Sequence, residues 1–292
     1  MPLVNSGSIS INDIAGEFGG SQPHSLSEYY QGGGLVTSNN TSVPTSGAIS
    51  IGDFYGAQNF APVVASGGNS TTTYSGYKVH TFTSSGTLTV NSAGAANTGV
   101  EYMCMGGGGG ASAGDPGYVY GAGGAGGVIR TGSSSNTGSF PVSVGGGGSG
   151  SFSSPNAGGT SSAFGTSATG GYFTPGGNIG GAAYPGADNA DFQGSNSAQS
   201  LATGGAGAGG NANGAAGGPG AGNVYRNGST TYYGGGGAGG SANAGTWPGG
   251  IGGGASSKGG GGTNTGGGGG GASSPGSGGG GGSGIVVCRY QQ

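Results

Sequence analysis

Between Gly106 and Gly284 the chain places 70 of its 86 glycines in 179 residues, together with only six charged residues. An ordered glycine forfeits roughly 0.5–1 kcal/mol relative to alanine in a helix or strand, so seventy of them forfeit on the order of tens of kcal/mol. Such a stretch is either an unstructured spacer or a fold that only glycine permits. The function of the chain depends on which.

Composition removes several answers. Collagen needs a strict three-residue register with abundant proline, and the 12 prolines here are scattered without period. Disordered chains are usually rich in net charge, whereas charged residues make up 4% of this one and the formal net charge is −3. Five Lys and Arg spread over the chain make no basic stripe, so no nucleic-acid partner is expected. Leu, Lys, Glu and Arg are scarce, which argues against long helices. Met1–Ser6 carries neither a basic start nor an apolar run, and no stretch reaches 18 apolar residues. Synthesis in a cytoplasm without membrane insertion is the expectation. In that compartment Cys104 and Cys288, both in apolar strand-like runs, are expected as buried free thiols.

The first sixty residues contain a repeat. Ser6-Gly7-Ser8-Ile9-Ser10-Ile11-Asn12-Asp13-Ile14 returns as Ser46-Gly47-Ala48-Ile49-Ser50-Ile51-Gly52-Asp53-Phe54, with six of nine positions identical. Ser10/Asp13 and Ser50/Asp53 fit helix starts of the capping-box kind, with Asp in place of Glu. Gly19-Gly20 and Gly56 keep those helices short. Ser25-Leu26-Ser27-Glu28-Tyr29-Tyr30 offers a third start, closed by Gly32-Gly33-Gly34. Residues 1–60 read either as an adaptor that docks on a partner or as a self-contained mini-domain. For the adaptor, the candidate contact residues are Ile9, Ile11, Ile14, Phe18, Tyr29, Tyr30, Ile49, Ile51 and Phe54. Residues 61–75 are polar and irregular and read as a linker.

From 76 to 292 strand signals frame the glycines. Tyr77–Thr83 alternates, Thr87–Val90 is rich in β-branched residues, and Val100–Met105 runs straight into Gly106–Gly110. Val128–Arg130 and Phe140–Val144 follow, with Pro141 marking an edge strand or a strand start, and Gly284–Tyr290 closes the chain. A spacer has no reason to be bracketed by strands, nor to carry the aromatics that punctuate it. One architecture turns glycine into a requirement: polyglycine-II helices with about three residues per turn, packed side by side through backbone hydrogen bonds. A Cβ at a contact would push such helices apart. The expected fold is therefore mainly β and irregular: a small N-terminal module with short helices, then β-strands bracketing a packed polyglycine-II array.

Thr81–Val90, Val100-Glu101-Tyr102 running into Gly106–Gly110, Gly126-Gly127-Val128, Pro141–Gly146 and Gly282–Tyr290 resemble the glycine-rich domain of bacteriophage tail proteins. Ile-Ser-Ile-x-Asp-Phe/Ile and Ser-Leu-Ser-Glu-Tyr-Tyr are similar to modules at the start of phage tail and fibre proteins. The resemblance implies a virion (tail) protein made in the host cytoplasm. It further implies other tail or fibre proteins as partners of the N-terminal module, and a host surface glycan or outer-membrane protein as receptor. Whether the chain trimerises or caps a trimer as a monomer stays open.

Catalytic patterns fail on context. Gly110-Ala111-Ser112-Ala113-Gly114 matches a nucleophile elbow, but both histidines, His24 and His80, precede it and glycine follows where a helix is needed. Gly121–Gly126 matches a dinucleotide fingerprint without the βαβ spacing. Two histidines and two distant cysteines supply no zinc site, and Asp188-Asn189-Ala190-Asp191 reads as a solvated acidic loop. No enzyme activity, cofactor or metal is expected. What remains is recognition by aromatic-bearing loops on a rigid frame, with Tyr118, Tyr120, Tyr172, Phe173, Tyr184, Phe192 and Trp247 as candidates. Tyr232-Tyr233 flank a glycine run and read as structural. A purely structural virion protein, such as a capsid decoration or shaft component, and more remotely an ice-binding protein are the alternatives.

Overall fold

The computed structural model describes residues 3–37, 40–59, 63–94, 99–114, 121–173, 203–240, 246–273 and 276–292. The backbone divides into two compact units, Met1–Val63 with Ser92–Thr98, and Val64–Asn91 with Gly99–Gln292.

In the first unit the serine-initiated starts become α1 (Ile11–Phe18) and two 3-10 turns, Leu26–Tyr29 and Ile51–Phe54. Each begins with an extended serine whose backbone N–H donates to a carboxylate three residues on. The distances are 2.7 Å from Ser10 to Asp13, 3.1 Å from Ser25 to Glu28 and 2.7 Å from Ser50 to Asp53. These bonds satisfy donors that a helix start leaves orphaned. Gly19, at φ +77°, ends α1. The apolar faces meet in one core of Leu3, Ile14, Phe18, Tyr29, Val36, Val43, Phe54 and Ala57. Phe54 takes Phe18 and Tyr29 edge-on, with ring centres 6.3 and 6.2 Å away, pairings worth about 0.5–1.5 kcal/mol each beyond burial.

The second unit opens with strands where a linker was expected. β1 (Val63–Ser66) and β2 (Ser70–Tyr74) occupy most of residues 61–75. The polar Ser-Thr-Thr-Thr run of β2 is an edge strand that needs no buried face, which is why its composition read as a linker. β3 (Tyr77–Phe82), β4 (Gly86–Ala93), β5 (Val100–Met105), β6 (Ile129–Ser134) and β7 (Gly138–Val142) follow. Two short hairpins, β8 (Ser161–Ala163) with β9 (Thr166–Ala168) and β10 (Ala221–Asn223) with β11 (Thr231–Tyr233), precede β12 (Ile285–Gln291). β2-β3-β12-β5-β6 form a five-stranded antiparallel sheet, and β1-β4-β7 a smaller one in which Pro141 sits on the edge strand.

Register sets the two faces of the larger sheet. Val79, Met103, Met105, Ile129, Ile285 and Val287 lie on one, in a core with Ala208 and Tyr233. His80, Phe82, Tyr102, Cys104, Val286, Cys288 and Tyr290 lie on the other and are also buried. Both cysteines are free, as expected. Tyr102 stacks on Phe164 with centres 5.0 Å apart and bonds Thr166 at 2.7 Å, holding the β8–β9 hairpin to the sheet.

The described glycine segments between strands are hydrogen-bonded to one another. In Gly106–Gly114 the N–H groups of residues 106, 109 and 112 donate to the carbonyls of 128, 125 and 122. Those of 107 and 110 donate to 159 and 156, and those of 108 and 111 to 282 and 279. The carbonyls of 108 and 111 accept from 148 and 151, those of 109 and 112 from 269 and 272, and that of 107 from 171. All these bonds span 2.7–3.1 Å. A sheet strand has neighbours on two sides only; this segment has six, changing with a period of three residues, antiparallel through its N–H groups and parallel through its carbonyls. Such approach leaves no room for a side chain. A Cβ on Gly107, Gly108 or Gly110 would stand 2.0 Å from a neighbouring carbonyl oxygen, where real Cβ contacts essentially never fall below 3.0 Å.

Candidate functional site

The glycine lattice has two distinct ends. At one, Gly106, Val128 and Gly284 join directly to β5, β6 and β12. At the other, the residues that flank positions 115–120, 174–202 and 241–245 converge. The N–H groups of Gly114 and Gly121 both donate to the carbonyl of Ala272, at 3.1 and 2.8 Å, and Gly240 donates to Gly121 at 2.8 Å. Gly123 donates to Thr203 at 2.9 Å and Ala113 to Phe152 at 3.4 Å, which brings the bend at Phe152 and Thr203 to the same end.

Trp247 belongs to this end and is 46% exposed. Its backbone N–H donates to the Ser257 hydroxyl at 3.1 Å, its carbonyl accepts from Ser257, and that hydroxyl donates to the Gly239 carbonyl at 2.7 Å. Ser257 thus fixes the tryptophan backbone to the lattice while leaving the indole in solvent. Tyr172 is exposed too, although its carbonyl is part of the lattice and accepts from Ala125; Phe173 beside it is half-buried. Tyr118, Tyr120, Tyr184 and Phe192 lie outside the described residues, as does Asp188-Asn189-Ala190-Asp191. Phe152, exposed in the turn of that end, was not singled out from sequence. Its Ser-Phe-Ser-Ser-Pro setting between two glycine segments was the available signal. Tyr232-Tyr233 split, since Tyr233 is buried in the sheet core while Tyr232 is exposed.

His80, Cys104, Cys288 and Arg289 are engaged in packing, hydrogen bonds or an ion pair. His80 is buried, with Nδ1 2.7 Å from the Gly67 carbonyl and Nε2 3.3 Å from the Tyr290 hydroxyl, and burial pushes its pKa down. Burial pushes the Cys104 thiol up to about 12, and the Cys288 thiol upward likewise. Neither is the thiolate that nucleophilic chemistry requires. Arg289 Nε pairs with Glu101 at 2.8 Å and its NH1 donates to the Tyr74 hydroxyl at 2.7 Å. Its guanidinium carbon lies 4.4 Å from the centre of the Tyr77 ring and 4.0 Å from that of Tyr225. This cation tethers the segment after β10 to the sheet. Among the described residues no three His, Cys, Asp or Glu side chains gather into a metal site, and no helix is long and apolar enough to cross a membrane.

In the N-terminal unit Ile14, Phe18, Tyr29 and Phe54 are buried, so as long as the unit is folded they hold it together and are not available as contacts. Ile9, Ile11, Tyr30, Ile49 and Ile51 keep part of their surface in solvent. A groove of about 430 Å³ runs beside α1, lined by Leu3, Val4, Ile9, Asn12, Asp13 and Glu17 among others.

A family model described as a glycine-rich domain matches residues 83–291, and the chain belongs to that family. No curated protein matches the chain.

Proposed function

We propose that this member of the glycine-rich-domain family is a bacteriophage tail protein, a fibre or tip adhesin that recognises a host-surface glycan or outer-membrane protein without covalent chemistry. The N-terminal unit attaches it to the virion. The glycine lattice is a polyglycine-II array that carries recognition loops at the end away from the sheet. The three-residue alternation of hydrogen-bond partners supports the array reading, because three residues make one turn of that helix. One observation carries the functional reading: the residues that flank positions 115–120, 174–202 and 241–245 meet at one end of the lattice, beside Trp247, whose backbone is clamped and which is 46% exposed. Rigid aromatics give large contact area at small entropy cost, and a pre-ordered frame removes much of the ordering cost of binding.

The test is adsorption. The purified chain binds host cells and blocks phage adsorption, and Trp247→Ala and Tyr172→Ala weaken that binding while leaving the unfolding midpoint in place. Loss of stability without loss of adsorption in both variants would transfer these rings to a structural role and overturn the receptor reading.

A further inference from the structure

A cleft of about 340 Å³ lies beside the larger sheet, between its edge strand β2 and the turn that joins β10 to β11. Ser70, Thr72, Thr73, Tyr74 and Thr81 line it from the sheet, and Arg226 lines it from the turn. Small-molecule sites commonly span about 300–1,000 Å³, so this one suits a ligand of about one sugar ring. It belongs to the sheet side of the glycine lattice, whereas Trp247 belongs to the other end.

Its walls are fixed. Ser70, Thr72 and Tyr74 alternate along β2 and share a face with Val79 and Thr81 of β3, since Ser70 pairs with Thr81 and Thr72 with Val79. The turn is held against that face by the Tyr74 hydroxyl, 3.0 Å from the Val224 carbonyl and 3.1 Å from that of Tyr225. The Tyr225 ring lies against the Arg289 guanidinium as a second fastening. Within the turn, the Asn223 side chain accepts from the Tyr225 N–H at 2.8 Å and the Asn227 side chain from the Ser229 N–H at 3.1 Å. Gly228, at φ +80°, packs so closely that a Cβ there would stand 2.9 Å from the Tyr74 ring. A site with walls already set binds without first ordering a loop.

The lining is polar, and its hydrogen-bonding capacity is unused. Among the described residues, the hydroxyls of Ser70, Thr72, Thr73 and Thr81 have no hydrogen-bond partner, although Thr81 is only 4% exposed. β2 adds the outer row of backbone N–H and C=O groups of an edge strand. Glu101, the only Asp or Glu described in the second unit, is paired with Arg289, so the exposed Arg226 has no carboxylate partner among the described residues. Lys78 lies on the opposite face of the sheet with His80, which leaves Arg226 the single cation lining the cleft. The Arg226 charge also acts on Tyr233, whose buried hydroxyl has no hydrogen-bond partner: burial pushes that pKa up and the guanidinium draws it back. The guanidinium therefore lies close to the sheet core.

Each hydroxyl donates once and accepts twice, which matches a ligand that is itself rich in hydroxyls. A lone guanidinium is best matched by a lone carboxylate, held in the two-pronged geometry. No aliphatic or tryptophan side chain lines the cleft, so a hydrophobic anchor has nothing to hold it there. We propose that this cleft binds a sugar acid such as a hexuronate, with the carboxylate on Arg226 and ring hydroxyls on Ser70, Thr72 and Thr81. The site is separate from the Trp247 end and does not depend on the tail-protein reading.

The test uses sodium glucuronate as the probe, titrated into the full chain and followed by saturation-transfer NMR, with glucose as its neutral counterpart. About thirteen non-hydrogen atoms at ordinary ligand efficiency correspond to a dissociation constant on the order of 1 mM. Glucuronate binds at least roughly tenfold more tightly than glucose, and Arg226→Gln abolishes the difference. Thr72→Val, which trades a hydroxyl for a methyl, weakens glucuronate binding about fivefold. Arg226→Lys keeps the charge without the planar fork and retains an intermediate affinity. The unfolding midpoint reads any structural role separately; if Arg226→Gln lowers it, the affinities of Thr72→Val and Arg226→Lys decide. Absence of saturation transfer well above the expected dissociation constant overturns the proposal, as does equal binding of glucose. Displacement by equimolar inorganic phosphate, with Thr72→Val binding like the parent chain, would mark a bare anion site and overturn it too. Each of these failures leaves the receptor reading intact, because adsorption by the Trp247 and Tyr172 variants decides that one.

Discussion

Gly108→Ala is the sharpest test of the lattice. The new methyl would stand 2.0 Å from the Gly267 carbonyl oxygen, so the segments 106–114 and 266–272 must separate by at least an ångström to restore an allowed contact. Three bonds join those segments, Gly269 to Gly109 at 3.0 Å, Ala272 to Ser112 at 3.1 Å and Gly114 to Ala272 at 3.1 Å, the first two lying nearer the new methyl. A shift of that size breaks those two. Each lost bond removes about 0.5–1.5 kcal/mol and each stranded buried group adds about 1–3 kcal/mol, so two broken bonds with one stranded group apiece give a total of about 3–9 kcal/mol. That is a large part of the roughly 5–15 kcal/mol that holds a typical domain folded. The internal control is Gly146→Ala, where a Cβ meets nothing within 4 Å and φ is not positive; its expected change is within about 0.5 kcal/mol. Denaturant unfolding of the two variants decides the matter. Equal midpoints would refute the claim that glycine is required by close backbone approach.

Further outcomes follow from the buried groups. Because the folded pKa of His80 lies below 6.5, the unfolded state binds more protons just below that pH. The histidine's contribution is therefore complete above pH 6.5 and lost as pH falls through the depressed value. His80→Phe flattens the melting-temperature profile in that acidic window and leaves it unchanged above. Cys104 and Cys288 stay unreactive toward a thiol reagent until the chain unfolds, so labelling tracks unfolding one for one. Arg289→Lys keeps the charge but loses the planar fork to Glu101 and Tyr74 and the two ring contacts, and lowers stability by about 2 kcal/mol in the same unfolding assay.

The strands that frame the glycines were legible because Val100–Met105 and Ile285–Tyr290 are long enough, and apolar enough, to signal burial on both faces. The three helix starts were legible from serine and acid spacing alone. β2 was not, since an edge strand exposed to water carries Thr and Ser that also suit a loop, and β1 was not because its four residues are too few for a period to emerge. Nor were the three-residue hairpins β8–β9 and β10–β11, too short for any period to emerge. In the N-terminal unit the apolar residues could be picked out, but not which of them face inward: Ile11 and Ile14 both look like contact residues, and only packing separates them. At the lattice end Trp247 stood out by rarity. Its anchor Ser257 did not, because one serine among many carries no pattern.

The position of β12 between β3 and β5 has a consequence for how the chain is made. The central strand follows all four of its sheet mates in sequence, so the larger sheet cannot close, and the glycine segments cannot be locked between fixed strand ends, until Ile285–Gln291 has left the ribosome. Until then a long polar backbone, almost without charge to keep it apart from its neighbours, waits for partners distant in sequence. Assembly dominated by such remote pairings is slow. The nascent chain therefore spends its most vulnerable interval with β2, β3, β5 and β6 already made and the place between β3 and β5 still open, until Ile285–Gln291 fills it.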